Sequence, residues 1–217
     1  MKVVQERAVS LAPLSKWSAT QCRIEAHPTQ PMLAVYRNMF PEDQITEVMT
    51  YTWRAQKFNC DVKDLQSQQA SHNQEGFVRE AMCTLLQTHW VNSPFEDLQI
   101  FPKDIKEEKD QRVHIESSML ESGLGIYLDP VTFKLETKTK AQGTLVAEYG
   151  ENTDHKWLPS RLEHVTAKSR VVVDSIEYDP VPVNGRNQIR SLWISAGAPG
   201  AELRKQTQLQ FSECRGF

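Results

Sequence analysis

The side chains best suited to chemistry lie in one polar stretch, LVAEYGENTDHKWLPSRLEH, which runs from Leu145 to His164. Five of its side chains can bind a metal ion: Glu151, Asp154, His155, Glu163 and His164. Non-haem Fe(II) oxygenases hold iron with two His and one carboxylate, and their local signature is His-x-Asp at a strand end. That triplet is missing from the stretch, and no His follows His164. The residues after His164 therefore supply no second imidazole.

Two other kinds of chemistry have partial motifs. HPT (His27, Thr29) and HVT (His164, Thr166) resemble the paired HxT motifs of two-histidine phosphoesterases. In those enzymes each His moves a proton and each hydroxyl binds a phosphate, so His27 and His164 would have to face one cleft. The GxSxG motif of hydrolytic triads and the glycine-rich phosphate loops GxGxxG and GxxxxGKS/T are absent from the sequence.

Composition indicates a globular chain with an apolar core. It has 217 residues, 39% of them hydrophobic, and a formal net charge of −3, which gives no global attraction to nucleic acid. No apolar run is long enough to cross a membrane. The N-terminal MKVVQERAVSLAPLSKW lacks the uninterrupted apolar region of a signal peptide, which predicts either a cytoplasmic protein or a fragment or derivative of a secreted one.

The cysteines are widely spaced and form no CxxC pair, which excludes a zinc ribbon or a thioredoxin-like motif. We expect buried or free thiols, with disulfides as the alternative if the compartment is oxidising. The four positions are Cys22, Cys60, Cys83 and Cys214.

The elements that would position these residues change in type along the chain. Gln30–Phe40 is a short apolar run that predicts a strand. Apolar residues at helical spacing predict helices from Pro41 to Trp53 and from Phe77 to Trp90. LDPVTFKLETKTKAQG fits a strand or a helix, and the Asp129–Pro130 start favours the helix.

Beyond Gly143, short runs rich in β-branched and aromatic residues predict strands. These runs are TLVAEYG, SRVVVDSIEYD, QIRSLWIS and KQTQLQF. Helices over residues 40–140 and strands over residues 143–211 predict an α+β fold, in which helices pack on an antiparallel sheet.

Several segments, taken in order over roughly residues 11–214, resemble the catalytic domain of the collagen prolyl 4-hydroxylase α subunit, particularly its diverged insect-type paralogues. They include LAPLSKW, QPMLAVYRNMFPEDQITEV, RVHIESSML, LDPVTFKLETKTKAQGTL and SLWISAGAPGAELRKQTQ. The resemblance implies one domain over residues 1–217 with a double-stranded β-helix (jelly-roll) core in its C-terminal half and flanking N-terminal helices. It also implies a procollagen-proline 4-dioxygenase activity with Fe(II), 2-oxoglutarate and ascorbate, and an origin in the endoplasmic reticulum lumen or outside the cell.

The family's site residues do not carry over. Its PHFDH motif falls on or near SRLEH, which places Arg161 and Glu163 at two ligand positions, and its distal His falls near Gln208. Arg offers no lone pair to a metal ion, so we expect an Arg161–Glu163 salt bridge and no bound iron. Tyr149 matches a tyrosine that contacts 2-oxoglutarate. The remaining nearby metal-ligand candidates are His155 and His164.

The resemblance therefore implies a degenerate pseudoenzyme that binds at most a proline-rich or extended peptide. Two alternatives stay open: a non-catalytic interaction or assembly protein of unrelated α+β fold, and the two-histidine phosphoesterase. The sequence predicts no nucleic-acid or membrane partner, and it leaves the oligomeric state open.

Overall fold

The described part of the chain is dominated by one antiparallel sheet of twelve strands. The computed structural model describes residues 19–39, 41, 47–56, 59–64, 76, 78–91, 105–107, 113–115, 125–128, 134–139, 143–151, 157–180 and 188–216. The strands are β1 (Ala19–Pro28), β2 (Met49–Gln56), β3 (Asn59–Asp64), β4 (Ile105–Glu107), β5 (Val113–Ile115), β6 (Gly125–Leu128), β7 (Lys134–Thr139), β8 (Gly143–Glu151), β9 (Trp157–Val165), β10 (Arg170–Tyr178), β11 (Ile189–Gly197) and β12 (Arg204–Gly216). Two helices accompany them, α1 (Gln30–Met39) and the π-helical α2 (Ala81–Val91).

The strand order places the first strand against the last. It reads β3-β2-β1-β12-β11-β10-β9-β8-β7-β6-β5-β4, and every neighbouring pair is antiparallel. All of these pairs join consecutive strands except β1–β12. The chain thus builds one arm of the sheet with β1 to β3, crosses to the far edge, and returns strand by strand from β4 to β12.

Two disulfides fix this arrangement. Cys22–Cys214 joins β1 to β12 across a sequence separation of 192, and Cys60–Cys83 joins β3 to α2 across a separation of 23. The expectation of free or buried thiols is wrong, because all four cysteines are paired.

The core lies between α2 and one face of the sheet, which we call the inner face; the opposite face is the outer face. Strand residues of the inner face alternate with outer ones, as a period of two requires. Fully buried inner-face residues include Ile24, Tyr51, Trp53, Leu162, Val171, Val173, Leu192 and Leu209, and α2 adds Ala81, Met82, Leu85 and Leu86.

The sheet curves around α2. This helix contacts β2 and β3 on one arm and β9 and β10 on the other. On a flat sheet β3 and β9 would lie six strand spacings apart, about 29 Å. A helix of 11 residues is about 16 Å long at most, so a flat sheet could not contact it from both arms.

The predicted α+β fold with a jelly-roll core is wrong, since the described strands form one open sheet with two short helices. Residues 49–56 form β2 and not a helix, because Met49, Tyr51, Trp53 and Ala55 are buried alternately. Gln30–Met39 is helical and not a strand, with Leu33 and Tyr36 buried three residues apart.

Of the other local predictions, one is wrong and the rest are confirmed. Lys134–Thr139 is β7, where a helix was favoured. The strands predicted after Gly143 are present as β8, β10, β11 and β12, and a helix is present within the predicted Phe77–Trp90 region. Within the described residues, neither helix is long and apolar enough to span a membrane.

Replacing Cys22 and Cys214 together by Ser should lower the free energy of unfolding by about 5 kcal/mol, because the bridge closes a very long loop. The Cys60→Ser/Cys83→Ser pair closes a shorter loop and should cost about 3 kcal/mol. Equilibrium urea unfolding, followed by tryptophan fluorescence, measures both values. An equal or larger loss in the Cys60/Cys83 variant would contradict this order.

Candidate functional site

Two positions expected at an iron site, Arg161 and Glu163, lie on the outer face of the sheet. Arg161 and Glu163 belong to β9, where Arg161 lies opposite Glu148 of β8. Arg161 donates to Glu163 Oε2 at 2.7 Å and to Glu148 Oε1 at 3.2 Å. Arg170 of β10 donates from Nε to Glu163 Oε1 at 2.8 Å and from Nη2 to Oε2 at 3.2 Å. We call these four residues the ion-pair ladder.

Within the ion-pair ladder the charges of the two arginines and the two glutamates balance. Burial raises the pKa of the Glu163 carboxyl, but hydrogen bonds and positive charge from Arg170 and Arg161 outweigh it and hold that pKa below its usual range. Both Glu163 oxygens accept from guanidinium groups, and the residue is only 8% exposed. The expected Arg161–Glu163 salt bridge is present, and it occupies the oxygens that a metal ion would need.

The third expected ligand position, Gln208, is not brought to the ladder. Gln208 lies on β12, and β10 and β11 separate that strand from β9. Three strand spacings amount to about 14 Å, far beyond the reach of one coordination sphere. Among the described residues no group of three His, Cys, Asp or Glu side chains could hold a metal ion.

Two further positions expected at the iron site, Tyr149 and His155, lie partly or wholly outside the described residues. The backbone of Tyr149 lies in β8 opposite Pro159, but its side chain is outside the described part of the structure. His155 lies outside the described residues.

The two histidines of the HxT motifs do not share a cleft. His164 faces inward and its Nδ1 lies 2.8 Å from Oε1 of Glu80, which ties β9 to the residues before α2. His27 is on the outer face of β1, where it lies opposite Gln208, and three strands separate β1 from β9. Thr166 accepts hydrogen bonds from the backbone N–H of Lys168 and of Ser169, so its hydroxyl stabilises the β9–β10 turn.

A pocket that sequence reasoning missed lies on the outer face of β1, β2 and β12. Its volume is about 320 Å³, and its lining residues are Gln21, Arg23, Thr52, Glu213 and Arg215. The strand register places Gln21 between Arg54 of β2 and Arg215 of β12 in one cross-strand row. Arg23 lies in the next row, opposite Thr52. We call this pocket, with the adjoining Arg54, the arginine pocket.

A β-bulge and a disulfide shape the arginine pocket. Gln21 pairs with Arg215 and Arg23 with Ser212, so two residues of β12 oppose Cys22 alone. The extra residue adopts positive φ, since Glu213 has φ 52°. Bulges of this kind redirect side chains. Cys22 and Cys214 are bonded behind the pocket, and each pocket residue of β1 and β12 is next in sequence to one of them.

Positive charge in the arginine pocket is not fully compensated. Arg54 donates from Nε and Nη2 to the side-chain amide oxygen Oε1 of Gln21, at 3.3 and 3.0 Å. Within the described ranges, neither Arg54 nor Arg215 has a carboxylate within 4.0 Å. Arg23 approaches Glu25 at 3.6 Å and Glu213 at 4.0 Å. These are ion-pair distances without a hydrogen bond.

One sequence signal could have indicated this pocket. The dipeptide Cys-Arg occurs at Cys22–Arg23 and again at Cys214–Arg215. If the two cysteines are bonded, their following arginines must lie near each other. The third arginine, Arg54, gives no such signal, because only the β1–β2 register places it opposite Gln21.

Comparison with known proteins assigns no family. No family model matches the chain, and no curated protein matches it. The chain is similar to the crystal structure of a DUF1329 family protein from Desulfovibrio piger, with 10% identity, a TM-score of 0.37, and coverage of 99% of this chain and 92% of that chain. A likeness at that TM-score carries no argument about function.

The resemblance to prolyl 4-hydroxylases is therefore wrong. None of the comparisons indicates that family, and a single antiparallel sheet replaces the jelly-roll that the family implies. The resemblance rests on short segments in collinear order, none of which is specific by itself.

Glu163→Gln should destabilise the protein by about 2 kcal/mol at pH 7, because it leaves Arg170 without its anion and leaves Arg161 paired with Glu148 alone. The lowered pKa means that the Glu163 contribution is present above about pH 4.3, the usual unfolded value, and is lost as pH falls through the folded pKa. Urea unfolding between pH 7 and pH 3 should therefore show a steeper loss in the wild type than in the variant.

Glu177→Gln is the matched control for that measurement. Glu177 also accepts from an arginine, at 2.9 Å from Arg190, but both side chains are more than half exposed. Solvent screens such a pair, so its loss should change stability less than Glu163→Gln. Equal effects of the two substitutions would show that the ladder has no special role in stability.

Proposed function

We propose that this protein is a non-catalytic binding protein that uses the arginine pocket to bind an acidic ligand. The observation that carries the proposal is the placement of three arginines at one pocket, two of them without an ion pair within the described chain. Unpaired surface charge at a concave site attracts ligands of opposite charge. The contrast with the net charge of −3 makes this region electrostatically distinct.

The state of the other polar groups supports binding over catalysis. Guanidinium groups donate hydrogen bonds and stay protonated near neutral pH, which suits them to holding a ligand. Two described groups that could move a proton are engaged in ion pairs away from the pocket, Glu163 with two arginines and His164 with Glu80. Proton transfer requires a positioned acid or base within reach of the substrate.

The disulfides support a location in an oxidising compartment, such as the endoplasmic reticulum lumen or the extracellular space. Disulfides persist in such compartments and are rare in a reducing cytosol. Cys22–Cys214 also fixes the backbone on both sides of the arginine pocket. A site held in its binding geometry before the ligand arrives loses less entropy on association.

The extended or proline-rich peptide partner stays a prediction. Such a peptide would need acidic residues to bind in the arginine pocket, because the side chains that line the pocket are mostly hydrogen-bond donors.

Binding of a fluorescent heparin octasaccharide, measured by anisotropy at low salt, tests the proposal. The octasaccharide is a polyanion, so the Arg54→Gln/Arg215→Gln variant should bind it about tenfold or more weakly, because two charge-assisted hydrogen bonds are lost. Both side chains are exposed, so the variant should keep the melting temperature of the wild type.

Lys168→Gln/Arg204→Gln is the control, since it removes the same charge from exposed positions away from the pocket. Arg204 and Arg215 lie at opposite ends of β12, about 35 Å apart along the strand. The control should bind the octasaccharide nearly as well as the wild type. Equal weakening of both variants would indicate a general charge effect and would refute the pocket as the site, as would an absence of binding by the wild type.

A further inference from the structure

We infer that the arginine pocket recognises a tetrahedral oxyanion, a phosphate or sulfate group, carried by a ligand with neighbouring hydroxyl groups. This inference rests on the proposed function and names the ligand class of the same site.

The donors of the arginine pocket approach from several directions. Arg54 and Arg215 flank Gln21 from opposite sides, about 10 Å apart across two strand spacings, and Arg23 approaches from the next row of the sheet. Planar guanidinium forks match phosphate and carboxylate oxygens in pairs. A carboxylate has two oxygens in one plane, so it can satisfy donors from few directions. A tetrahedral group offers oxygens to all three arginines at once.

The neutral side chains of the pocket also donate. The side-chain oxygen Oε1 of Gln21 accepts from Arg54, which leaves the side-chain NH₂ of Gln21 as a donor. The hydroxyl of Thr52 can donate as well. Among the lining residues Glu213 is the sole carboxylate. A surface so rich in donors fits an anion better than a neutral ligand.

Arg23 has unmet hydrogen-bonding capacity. Its Nε is shielded from solvent and has no acceptor in the described part of the structure, and its two ion pairs are longer than hydrogen bonds. A donor that is shielded from water and has no acceptor costs free energy, and an acceptor supplied by a ligand would remove that cost. An oxyanion in the pocket would supply acceptor oxygens once the guanidinium turns toward it.

Glu213 explains why the ligand should carry hydroxyl groups. Its side chain is 75% exposed, and its distance of 4.0 Å from Arg23 is too long for a hydrogen bond, so it can move at little cost. A bare oxyanion would be repelled by this carboxylate, whereas a hydroxyl beside the oxyanion could donate to it. The volume of about 320 Å³ leaves room beyond the oxyanion, near the lower end for small-ligand sites.

Isothermal titration calorimetry with glucose 6-phosphate, glucose 6-sulfate, glucuronate and glucose tests this ligand class. We expect one or both oxyanion esters to bind at least about tenfold more tightly than glucuronate, and glucose not to bind. The phosphate ester loses charge near pH 6, so its affinity should fall between pH 7.5 and pH 5 while that of the sulfate ester stays constant. The tighter ester identifies the group that the pocket prefers.

Two substitutions test the roles of single side chains. Arg23→Lys keeps the charge but loses the fork, so it should weaken ester binding by several-fold, and Arg23→Gln should weaken it more. Glu213→Gln should tighten the binding of inorganic sulfate or phosphate and should reduce the advantage of the sugar ester over the free ion. Ester binding unchanged in both Arg23 variants would refute the assignment.

The outcomes separate this inference from the proposed function. If the heparin octasaccharide binds through Arg54 and Arg215 but glucuronate matches or exceeds both esters, the oxyanion assignment fails and the proposed function stands. The same conclusion follows if none of the small ligands binds. If the octasaccharide also binds independently of these arginines, both fail.

Discussion

The pairing of β1 with β12 is the interaction on which the rest of the structure depends. It joins the arm formed by β1, β2 and β3 to the arm that runs from β4 to β12. Because α2 contacts strands of both arms, its apolar side chains are buried only when the two arms are joined. The β-bulge lies in this strand pair, and the Cys22–Cys214 disulfide links its two strands covalently. The arginine pocket lies on its outer surface.

Arginines on the outer face have two different fates. Arg161 and Arg170 lie beside carboxylates on neighbouring strands, so their charge is cancelled within the ion-pair ladder. Arg54 and Arg215 flank Gln21, whose side-chain amide oxygen accepts hydrogen bonds from Arg54 without neutralising its charge. The same side chain thus stabilises the fold in one place and remains available to a ligand in the other. The cross-strand neighbour of each arginine, a glutamate or a glutamine, determines whether its charge is neutralised.

Elements whose local pattern is unambiguous are predictable from the sequence. Runs such as SRVVVDSIEYD and QIRSLWIS form strands because they are rich in β-branched and aromatic residues, which favour strands. The pattern around β2 satisfies two periods at once: Val48, Met49 and Trp53 fit a helix, while Met49, Tyr51 and Trp53 alternate. Pairing with β1 and β3 selected the strand, and no local signal encodes that pairing.

The sites follow the same division. The Arg161–Glu163 pair was predictable because both residues lie on one short segment and face the same side of a strand. The arginine pocket required knowledge of strand order, since its residues come from three strands distant in sequence. Only the repeated Cys-Arg dipeptide linked two of them beforehand, and cysteine pairing cannot be deduced from spacing alone.

The position of Cys22 and Cys214 has a consequence for biosynthesis. During translation β1 leaves the ribosome long before β12, and 192 residues separate the two cysteines. Pairing over such a distance has a large loop-closure cost and is slow. Meanwhile one edge of β1 stays open, and its thiol can meet the wrong partner in Cys60 or Cys83. We expect Cys60 and Cys83 to pair first, because their separation of 23 residues closes at a lower entropic cost, and this leaves Cys214 as the partner of Cys22.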